Sequence, residues 1–513
     1  MQTPVPQEVP SSSHRQILKS SAIIGGSSVI AIAIGIVKVK VLAVLLGAAG
    51  IGLMGMFQNI MGVASVTAGC GVGTSGVRQL AASEGNRDIL DAVRHALWFG
   101  NLVLGLVGGS ILWLLRFHIS LWAFNDTSYT TEVGLLGIGV WFTLLASSQT
   151  VLLQGLRRIG FLARVNIAAS VFGAIFGVAF AWWLGVDGII WFVIIAPLTA
   201  TLTGAWYAAK LPRPQKKLNL AETKAQLVPM LRLGVPFMFT TLLTLGTQFL
   251  SRTIIIRELG LDAAGHFQAS WAISMNYIGF ILGAMATDYF PRLSVVISDP
   301  PAARKLVAEQ TEMGLLLATP ALLFMITSAP WVIYLFYASD FDPAIDLLRW
   351  QSVGNFLRVV SWPMRFILVA QARGSLFILS ETIADAAYLL ALFFGIQYWG
   401  IDAAGYGFAF MYAIHFVTQI LVANRVLGYQ IPVKLFFILL SFTTLGLGIL
   451  LVSQINFHVS LAVGIPVTGI ASIICIHRIE KHVHLLAWLR GRLKTKHSKK
   501  PALPTPPVPP TST

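Results

Sequence analysis

The chain has 513 residues, of which 56% are hydrophobic and only 11% are charged, and its mean hydropathy is +0.75. An ordinary soluble domain is about 25% charged, so this chain lacks the charge needed to cover a soluble surface. The composition therefore predicts an all-α polytopic membrane protein. The net charge of +15 could indicate a nucleic-acid partner, but the distribution of the basic residues, described below, argues against one.

Apolar stretches recur along the whole chain. A spanning helix needs about 20 predominantly apolar residues, and fourteen stretches meet that requirement. The predicted spans are residues 20–46, 50–77, 95–115, 134–153, 162–184, 188–209, 229–256, 263–290, 311–337, 344–370, 375–398, 402–424, 434–453 and 459–477. The connections between them are mostly short, so we expect neighbouring helices to be antiparallel.

The lysines and arginines between the spans predict their orientation. With the N-terminus in the cytoplasm, 28 of the 36 basic residues fall in cytoplasmic segments, and only Arg116 and Arg257 fall on the opposite side. Basic residues accumulate in the cytoplasmic loops of membrane proteins. The count therefore predicts that both termini are cytoplasmic, and it explains the net positive charge as a topological signal.

Glycine-containing turns recur at a nearly constant distance along the chain. Gly47 and Gly52 close the first predicted hairpin, and the same pattern returns 213 residues later at Gly260 and Gly265. Two further pairs of turns match at offsets of 215 and 214 residues. The repeat predicts two six-helix lobes related by an axis along the membrane normal, with a cleft between them.

The repeat and the spans together predict six segments. They are a cytoplasmic tail, a first lobe, a cytoplasmic linker, a second lobe, a terminal helix pair, and a basic, then proline-rich cytoplasmic tail. Their residues are, in that order, 1–16, 17–210, 211–228, 229–427, 434–477 and 478–513. The basic part of the last segment is expected to form an amphipathic helix on anionic lipid.

Three cations lie within the first and seventh spans. Lys40 and Arg252 precede the matched glycines by seven and eight residues, so they occupy nearly equivalent positions in the two lobes. A charge at mid-membrane costs about 2.5–3.5 kcal/mol on the insertion scale, so two cations that face one cleft predict an anion site. Lys38 lies on nearly the opposite side of the helix from Lys40. Extension of one of the two lysines to the membrane interface is an equally good interpretation.

Four charges lie in the tenth and eleventh spans. Arg358 and Arg365 share one helix face, and Glu381 and Asp385 share another. Counted from the connecting turn, Arg365 matches Glu381 in depth, and Arg358 matches Asp385. We expect an interhelical charge network, which would serve either cation coupling or structural cohesion.

Several classes of site have no signal in the sequence. No GxxxxGK[ST] phosphate loop occurs, so no ATP hydrolysis by the chain itself is expected. The two cysteines are far apart and no histidines and cysteines cluster at metal-binding spacings, so neither a disulfide nor a metal site is expected. The longest outer segment, about 116–132, is too short for a catalytic site, and the chain is not expected to be an enzyme.

The stretch Lys38–Gly52, KVKVLAVLLGAAGIG, followed by Gly71–Arg78, GVGTSGVR, resembles the polysaccharide transporter family. This family contains the Wzx-type flippases of O-antigen and of lipid III within the multidrug/oligosaccharidyl-lipid/polysaccharide exporter superfamily. The resemblance implies a V-shaped exporter fold in the bacterial inner membrane. It also implies export of undecaprenyl-pyrophosphate-linked oligosaccharide by alternating access, and a basic residue at Lys40.

The cationic residues fit such a substrate, because a pyrophosphate carries about two negative charges that need shelter in hydrocarbon. Its sugars would meet polar side chains. The candidates are Gln58, Asn59, Gln248 and Asn276.

Other functions remain open. The alternatives are a lipid II-type flippase, a drug/cation antiporter of the same superfamily, and a membrane-bound polysaccharide polymerase. If transport is coupled to a proton or sodium gradient, Glu381 and Asp385 are the candidates. Expected partners are the lipid-linked oligosaccharide, membrane lipids, and a polysaccharide polymerase with its chain-length regulator.

Overall fold

The computed structural model describes residues 11–83, 85–212 and 220–483, and in these ranges the chain forms α-helices and no strand. Two short 3₁₀ helices, Gly185–Asp187 and Ser339–Phe341, join longer elements. The α-helices are α1 Ser11–Gly69, α2 Val72–Ala82, α3 Arg87–Phe124, α4 Thr130–Gly155, α5 Ile159–Leu184, α6 Gly188–Ala208, α7 Leu220–Leu259, α8 Leu261–Val296, α9 Pro300–Phe336, α10 Pro343–Ala370, α11 Gly374–Trp399, α12 Asp402–Leu427, α13 Val433–Ile455 and α14 Phe457–Val483.

Parts of three predicted segments lie outside the described residues. They are residues 1–10 of the first tail, 213–219 of the linker, and 484–513 of the final tail, which include most of the predicted amphipathic helix. Residues 11–16 and 220–228, assigned to the tail and the linker, are helical parts of α1 and α7.

Twelve helical ranges in the described chain are long and apolar enough to cross a membrane. Two of them, Gly26–Gly69 and Ile159–Ala208, are 44 and 50 residues long, about twice the length that a bilayer needs. The first is broken at Gly47 and the second at the 3₁₀ helix that begins at Gly185. Counting each half as one span gives fourteen, the predicted number, and the chain is a multi-pass membrane protein.

The internal repeat is present in the backbone. Gly47 and Gly260 both break a helix with positive φ and extended ψ, at (64°, −167°) and (87°, −178°). Gly185 and Gly400 match in the same way, at (60°, −131°) and (55°, −135°). Positive φ is accessible to glycine without steric cost, which is why glycine marks these four turns. The third pair of turns has left-handed residues at Arg157 and Ala372, so its offset is 215 and not the predicted 214.

The second predicted span ends earlier than expected. Residues 50–77 were predicted as one helix, but α1 ends at Gly69 and α2 begins at Val72. Cys70 and Gly71 both have positive φ, and the backbone of Gly71 lies against the carbonyl of Gly234 in α7. Apolar composition cannot reveal such a break, because it depends on a contact made 163 residues further along the chain.

The helices pack as two lobes with a seam between them. Within the lobes, the main pairs are α3 with α4, α5 with α6, α10 with α12, and α11 with α12. Across the seam, α1 packs on α8, and α7 packs on α1, α2 and α3. Helices α13 and α14 pack on α9 of the second lobe, so the additional pair extends that lobe and lies away from the seam.

The two ends of the bundle are called here the Gly47 end, which carries the Gly47 and Gly260 turns, and the terminal end, where α14 ends. At the Gly47 end the two lobes touch through their backbones. A Cβ atom at Gly52 would collide with the Leu261 carbonyl, and one at Gly265 would collide with the Ala48 carbonyl. Both contacts relate residues 213 apart, so the repeat contacts itself about a pseudo-twofold axis.

Candidate substrate and coupling sites

The seam between the lobes carries a polar face beyond the Gly47 contacts. On α1, Gly55 faces Gln268 of α8 and Gly62 faces Leu245 of α7. Residues three and four apart share a helix face, so Gln58, between these two glycines, points towards the same seam. On α7, Gln248 and Arg252 follow Leu245 on the face that meets α1.

Arg252 is the buried charge of this face. Its side chain is 4% exposed, and its Nη2 and Nε donate to Gln268 Oε1 at 2.6 and 3.2 Å. Its Nη1 donates to the Gln248 carbonyl at 3.2 Å and lies 3.5 Å from Gln248 Oε1. Within the described part of the chain, no carboxylate oxygen comes within ion-pairing distance of its guanidinium. Neutral oxygens orient this cation but do not neutralise it.

The remaining candidate sugar contacts differ in exposure. Gln58 and Asn276 are exposed, and both lie on helix faces directed at the seam. Asn59 is 6% exposed, and its Oδ1 is buried without a hydrogen-bond partner in the described structure. Gln58, Gln248 and Asn276 are therefore placed where a ligand in the seam could reach them, whereas Asn59 is packed inside the protein.

The two lysines of α1 point to different neighbours. The Lys38 ammonium lies 4.9 Å from the centre of the Phe192 ring in α6, within its own lobe. Lys40 Nζ reaches the other lobe, where it donates to the carbonyl of Tyr334 at 2.6 Å and to that of Tyr337. These carbonyls belong to the end of α9, where the helix dipole is negative. Lys40 is thus held between the lobes in this conformation.

A second cation makes the reciprocal contact. Arg257, near the end of α7, donates to the carbonyl of Trp122 at 3.5 Å and to Asn125 Oδ1 at 3.3 Å, at the end of α3. Helices α1 and α7 are the first of their lobes, and α3 and α9 are equivalent in the repeat. Each lobe therefore places a cation from its first helix on the carboxyl end of the equivalent helix of the other lobe.

The charges of α10 and α11 form a cluster inside the second lobe. Arg365 Nη1 lies 3.9 Å from Glu381 Oε2, one of the ion pairs that the sequence predicted. His415 of α12 joins it, with Nε2 3.3 Å from Glu381 Oε1 and Nδ1 3.0 Å from Ser361 Oγ. Glu381 therefore lies between an arginine and a histidine from two different helices.

The other two members of the predicted network lie at its edge. Arg358 is placed over the Tyr412 ring at 5.6 Å, and Asp385 lies beside Thr247 of α7. A cavity of about 40 Å³ separates these groups from the Arg365–Glu381 pair. A cavity of that size holds water molecules but no sugar or pyrophosphate, so the cluster is suited to proton or cation chemistry and not to substrate binding.

Gln268 and His415 are the two members of these sites that the sequence analysis missed. Gln268 occupies the position 213 residues after Gly55, so its side chain fills the space that its repeat partner leaves empty; a Cβ atom at Gly55 would lie 2.8 Å from Gln268 Oε1. Counting depth along α12, as was done for α10 and α11, could have placed His415 near Glu381.

Comparison with known proteins assigns the family. The sequence matches the model of the polysaccharide biosynthesis protein family over residues 41–346, more than half of the chain. The lipid III flippases of Escherichia coli (strain K12) and Shigella flexneri are each 24% identical to it over 405 residues, which cover 76% of this chain and 92% of theirs.

Solved structures of the superfamily share the fold. Lipid II flippase MurJ in an inward closed conformation gives a TM-score of 0.68 at 14% identity, covering 90% of this chain and all of that one. An inward-facing multidrug transporter of the MATE family and MOP superfamily gives 0.66 at 17% identity, covering 77% of this chain and 94% of that one. The fold is therefore that of the MOP exporters, and the chain belongs to the polysaccharide biosynthesis protein family.

Proposed function

We propose that the chain is a flippase that moves undecaprenyl-pyrophosphate-linked oligosaccharide units from the cytoplasmic to the periplasmic face of the bacterial inner membrane. The units would be those of O-antigen, common antigen or exopolysaccharide. The observation that carries the proposal is Arg252, a buried guanidinium on the seam that is oriented by two glutamines and has no carboxylate partner in the described chain. The 24% identity to lipid III flippases supports the same class of substrate.

The pyrophosphate would bind at Arg252. A buried charge without a counterion is costly, and an anionic ligand relieves that cost while the surrounding amides satisfy the remaining donors. Gln58, Gln248 and Asn276 would contact the adjoining part of the headgroup, and the polyprenyl chain would remain in lipid. Lys40 would join the pyrophosphate site only after its contacts with α9 break.

Orientation is part of the proposal. The basic residues predict that the terminal end is cytoplasmic and the Gly47 end periplasmic. Single cysteines at positions 125 and 340 should react with an impermeant maleimide added to intact spheroplasts. Cysteines at positions 215 and 495 should require permeabilisation, and the reverse pattern would contradict the orientation.

The charge of the seam separates this function from the alternatives. A drug/cation antiporter needs a site that attracts cations, and Arg252 repels them. A lipid II-type flippase shares the pyrophosphate and differs in the sugar part, so only a comparison of substrates distinguishes it. The polymerase alternative lacks support, because the relatives are named flippases. A polymerase and a chain-length regulator remain proposed partners that would act on the exported product.

We also propose that ion binding at the Glu381 cluster drives the transport cycle. Glu381 contacts both Arg365 and His415, and α11 continues from Asp385 to Tyr388, which lies beside Arg252. Protonation of this cluster would alter the field at the seam through one rigid helix. Imposing proton and sodium gradients separately on proteoliposomes should show which of the two accelerates transport, and Glu381→Gln should abolish that acceleration.

The test of function is transport in proteoliposomes with purified lipid-linked oligosaccharide. Arg252→Gln should lower the transport rate at least tenfold, since hydrogen bonds to a charged group contribute about 1.5–3 kcal/mol. Arg252→Lys should retain part of the rate, because it keeps the charge and loses the fork of donors. Arg292→Gln, at an exposed arginine paired with Asp288, is the control. Wild-type rates in Arg252→Gln would refute the site, and transport of lipid II or a cationic drug in preference to the oligosaccharide would refute the function.

A further inference from the structure

A second polar region lies in the first lobe, away from every charge discussed above. A cavity of about 290 Å³ opens between α1, α2, α3, α4 and α7. No charged residue lines it, and its polar side chains are hydroxyls and one amide. This hydroxyl cavity is defined by Ser65, Thr74, Asn101, Thr143, Ser147 and Thr241.

The cavity presents mainly hydrogen-bond acceptors. Thr143 and Thr241 donate their hydroxyl protons to carbonyls of their own helices, at 2.7 and 3.0 Å. Asn101 donates its Nδ2 to the Leu97 carbonyl at 2.8 Å. A hydroxyl oxygen that has donated its proton retains lone pairs, and an amide oxygen accepts. A ligand that satisfies these groups must therefore bring donors.

Ser65 adds an unsatisfied group to this lining. Its side chain is 7% exposed, and its Oγ is buried without a partner in the described structure. Burying a hydroxyl without a hydrogen bond costs about 1–3 kcal/mol, so such a group is retained only where something offsets the cost. A polar ligand in the hydroxyl cavity would do so.

The chemistry of the cavity excludes a phosphate and favours a neutral sugar. Phosphate oxygens only accept hydrogen bonds and carry charge, so a lining rich in acceptors and without cations would repel them. Sugar hydroxyls donate and accept, as this lining requires. Phe237 and Met238 of α7 complete the wall and offer apolar surface to the C–H face of a sugar ring. The volume is near the lower limit of small-molecule sites, about 300 Å³, which suits one sugar.

The cavity lies on the seam, at a place where the lobes can separate. Thr241, Phe237 and Met238 belong to the second lobe, and the other polar residues belong to the first. Between the cavity and the terminal end, the backbones of Gly71 and Gly234 touch so closely that a side chain at either position would collide with the other chain segment. Opening this glycine contact would connect the hydroxyl cavity to the terminal end.

We propose that the hydroxyl cavity binds a neutral sugar of the oligosaccharide that is not the one attached to the pyrophosphate. Thr241 and Arg252 are eleven residues apart on α7, a separation of about 16 Å along the helix. A pyrophosphate at Arg252 therefore leaves the hydroxyl cavity to a sugar further along the chain. This inference rests on the proposed function and assigns specificity for the repeat unit to the first lobe.

The experiment compares two substrates in proteoliposomes, the complete lipid-linked oligosaccharide and the same lipid pyrophosphate carrying one sugar. The measured quantity is the ratio of their transport rates. Thr143→Val with Ser147→Ala removes two hydroxyls with little change of volume and should lower this ratio about tenfold, since each hydrogen bond contributes about 0.5–1.5 kcal/mol. Thr241→Val should lower it from the opposite wall, at an exposed position where folding is not at risk.

Ser170→Ala is the matched control, because Ser170 also donates to its own helix, at 2.7 Å to the Asn166 carbonyl, but lies outside the cavity. A ratio that falls in both cavity variants and not in Ser170→Ala supports the sugar site. An unchanged ratio in the cavity variants, or a wild-type protein that does not prefer the complete substrate, would overturn it and leave a cavity occupied by water. Failure of the wild-type protein to move either substrate would instead refute the proposed function.

Discussion

Lys40 joins the two lobes at the Gly47 end, and its loss should favour the conformation that is open there. Its ammonium contacts two carbonyls at the end of α9, in the other lobe. Lys40→Met keeps the length and apolar stem of the side chain and removes the charge and all donors. The two carbonyls keep access to other donors only if the seam opens to water, so the substitution should stabilise the open state relative to the closed one.

The magnitude follows from the surroundings of the contact. Hydrogen bonds to charged groups contribute about 1.5–3 kcal/mol, and a cation at a helix C-terminus is worth about 0.3–1 kcal/mol where it is exposed. The Tyr334 contact is exposed and the Tyr337 contact is partly buried, so we take the lower limit of about 1.5 kcal/mol. The ratio of open to closed molecules should therefore rise about tenfold.

Labelling of a cysteine on the seam measures this ratio. Cys70→Ser and Cys475→Ser remove the two native thiols, and Gln58→Cys places a reporter at an exposed seam position. An impermeant maleimide is added from the side that the Gly47 end faces, and the initial rate of labelling is recorded. The rate should rise about tenfold in Lys40→Met, and by less in Arg257→Met, because exposed ion contacts contribute little.

Lys38→Met is the matched control for this prediction. Lys38 lies two residues before Lys40, and its ammonium contacts the Phe192 ring within its own lobe. Its substitution should leave the labelling rate unchanged. Equal rates in wild-type and Lys40→Met, or the same increase in both lysine variants, would refute the assignment of Lys40 as a contact that closes the seam.

Two further predictions concern the seam and the second lobe. Gly265→Ala introduces a Cβ atom that collides with the Ala48 carbonyl, so it should destabilise the protein by about 1–3 kcal/mol and lower the melting temperature in detergent. Gly283→Ala, where no atom lies within 4 Å, should not lower it, and equal melting temperatures would contradict the close approach. Exchanging Arg365 and Glu381 should restore transport that each single reversal abolishes, whereas an inactive double variant would show that more than their pairing is required.

The sequence predicted the spans and the repeat because both depend on local properties. Each span needs only enough apolar residues to cross the hydrocarbon core, whatever its neighbours are. The breaks at Gly47 and Gly260 recur because the same backbone turn requires glycine at both. The Arg365–Glu381 pair was also accessible, because two helices joined by a short turn must be antiparallel neighbours, so counting from the turn gives the depth of each residue.

Tertiary structure decided which residues from distant helices meet. Lys40 contacts carbonyls about 294–297 residues away, and backbone carbonyls at a helix end leave no mark in the sequence. His415 reached Glu381 because α12 packs against α10 and α11. The hydroxyl cavity was the least predictable feature, since Thr143 and Thr241 satisfy their donors within their own helices. A hydroxyl in a membrane helix therefore reads the same whether it faces lipid or a ligand, and only the docking of α1, α2, α3, α4 and α7 brings these residues to one site.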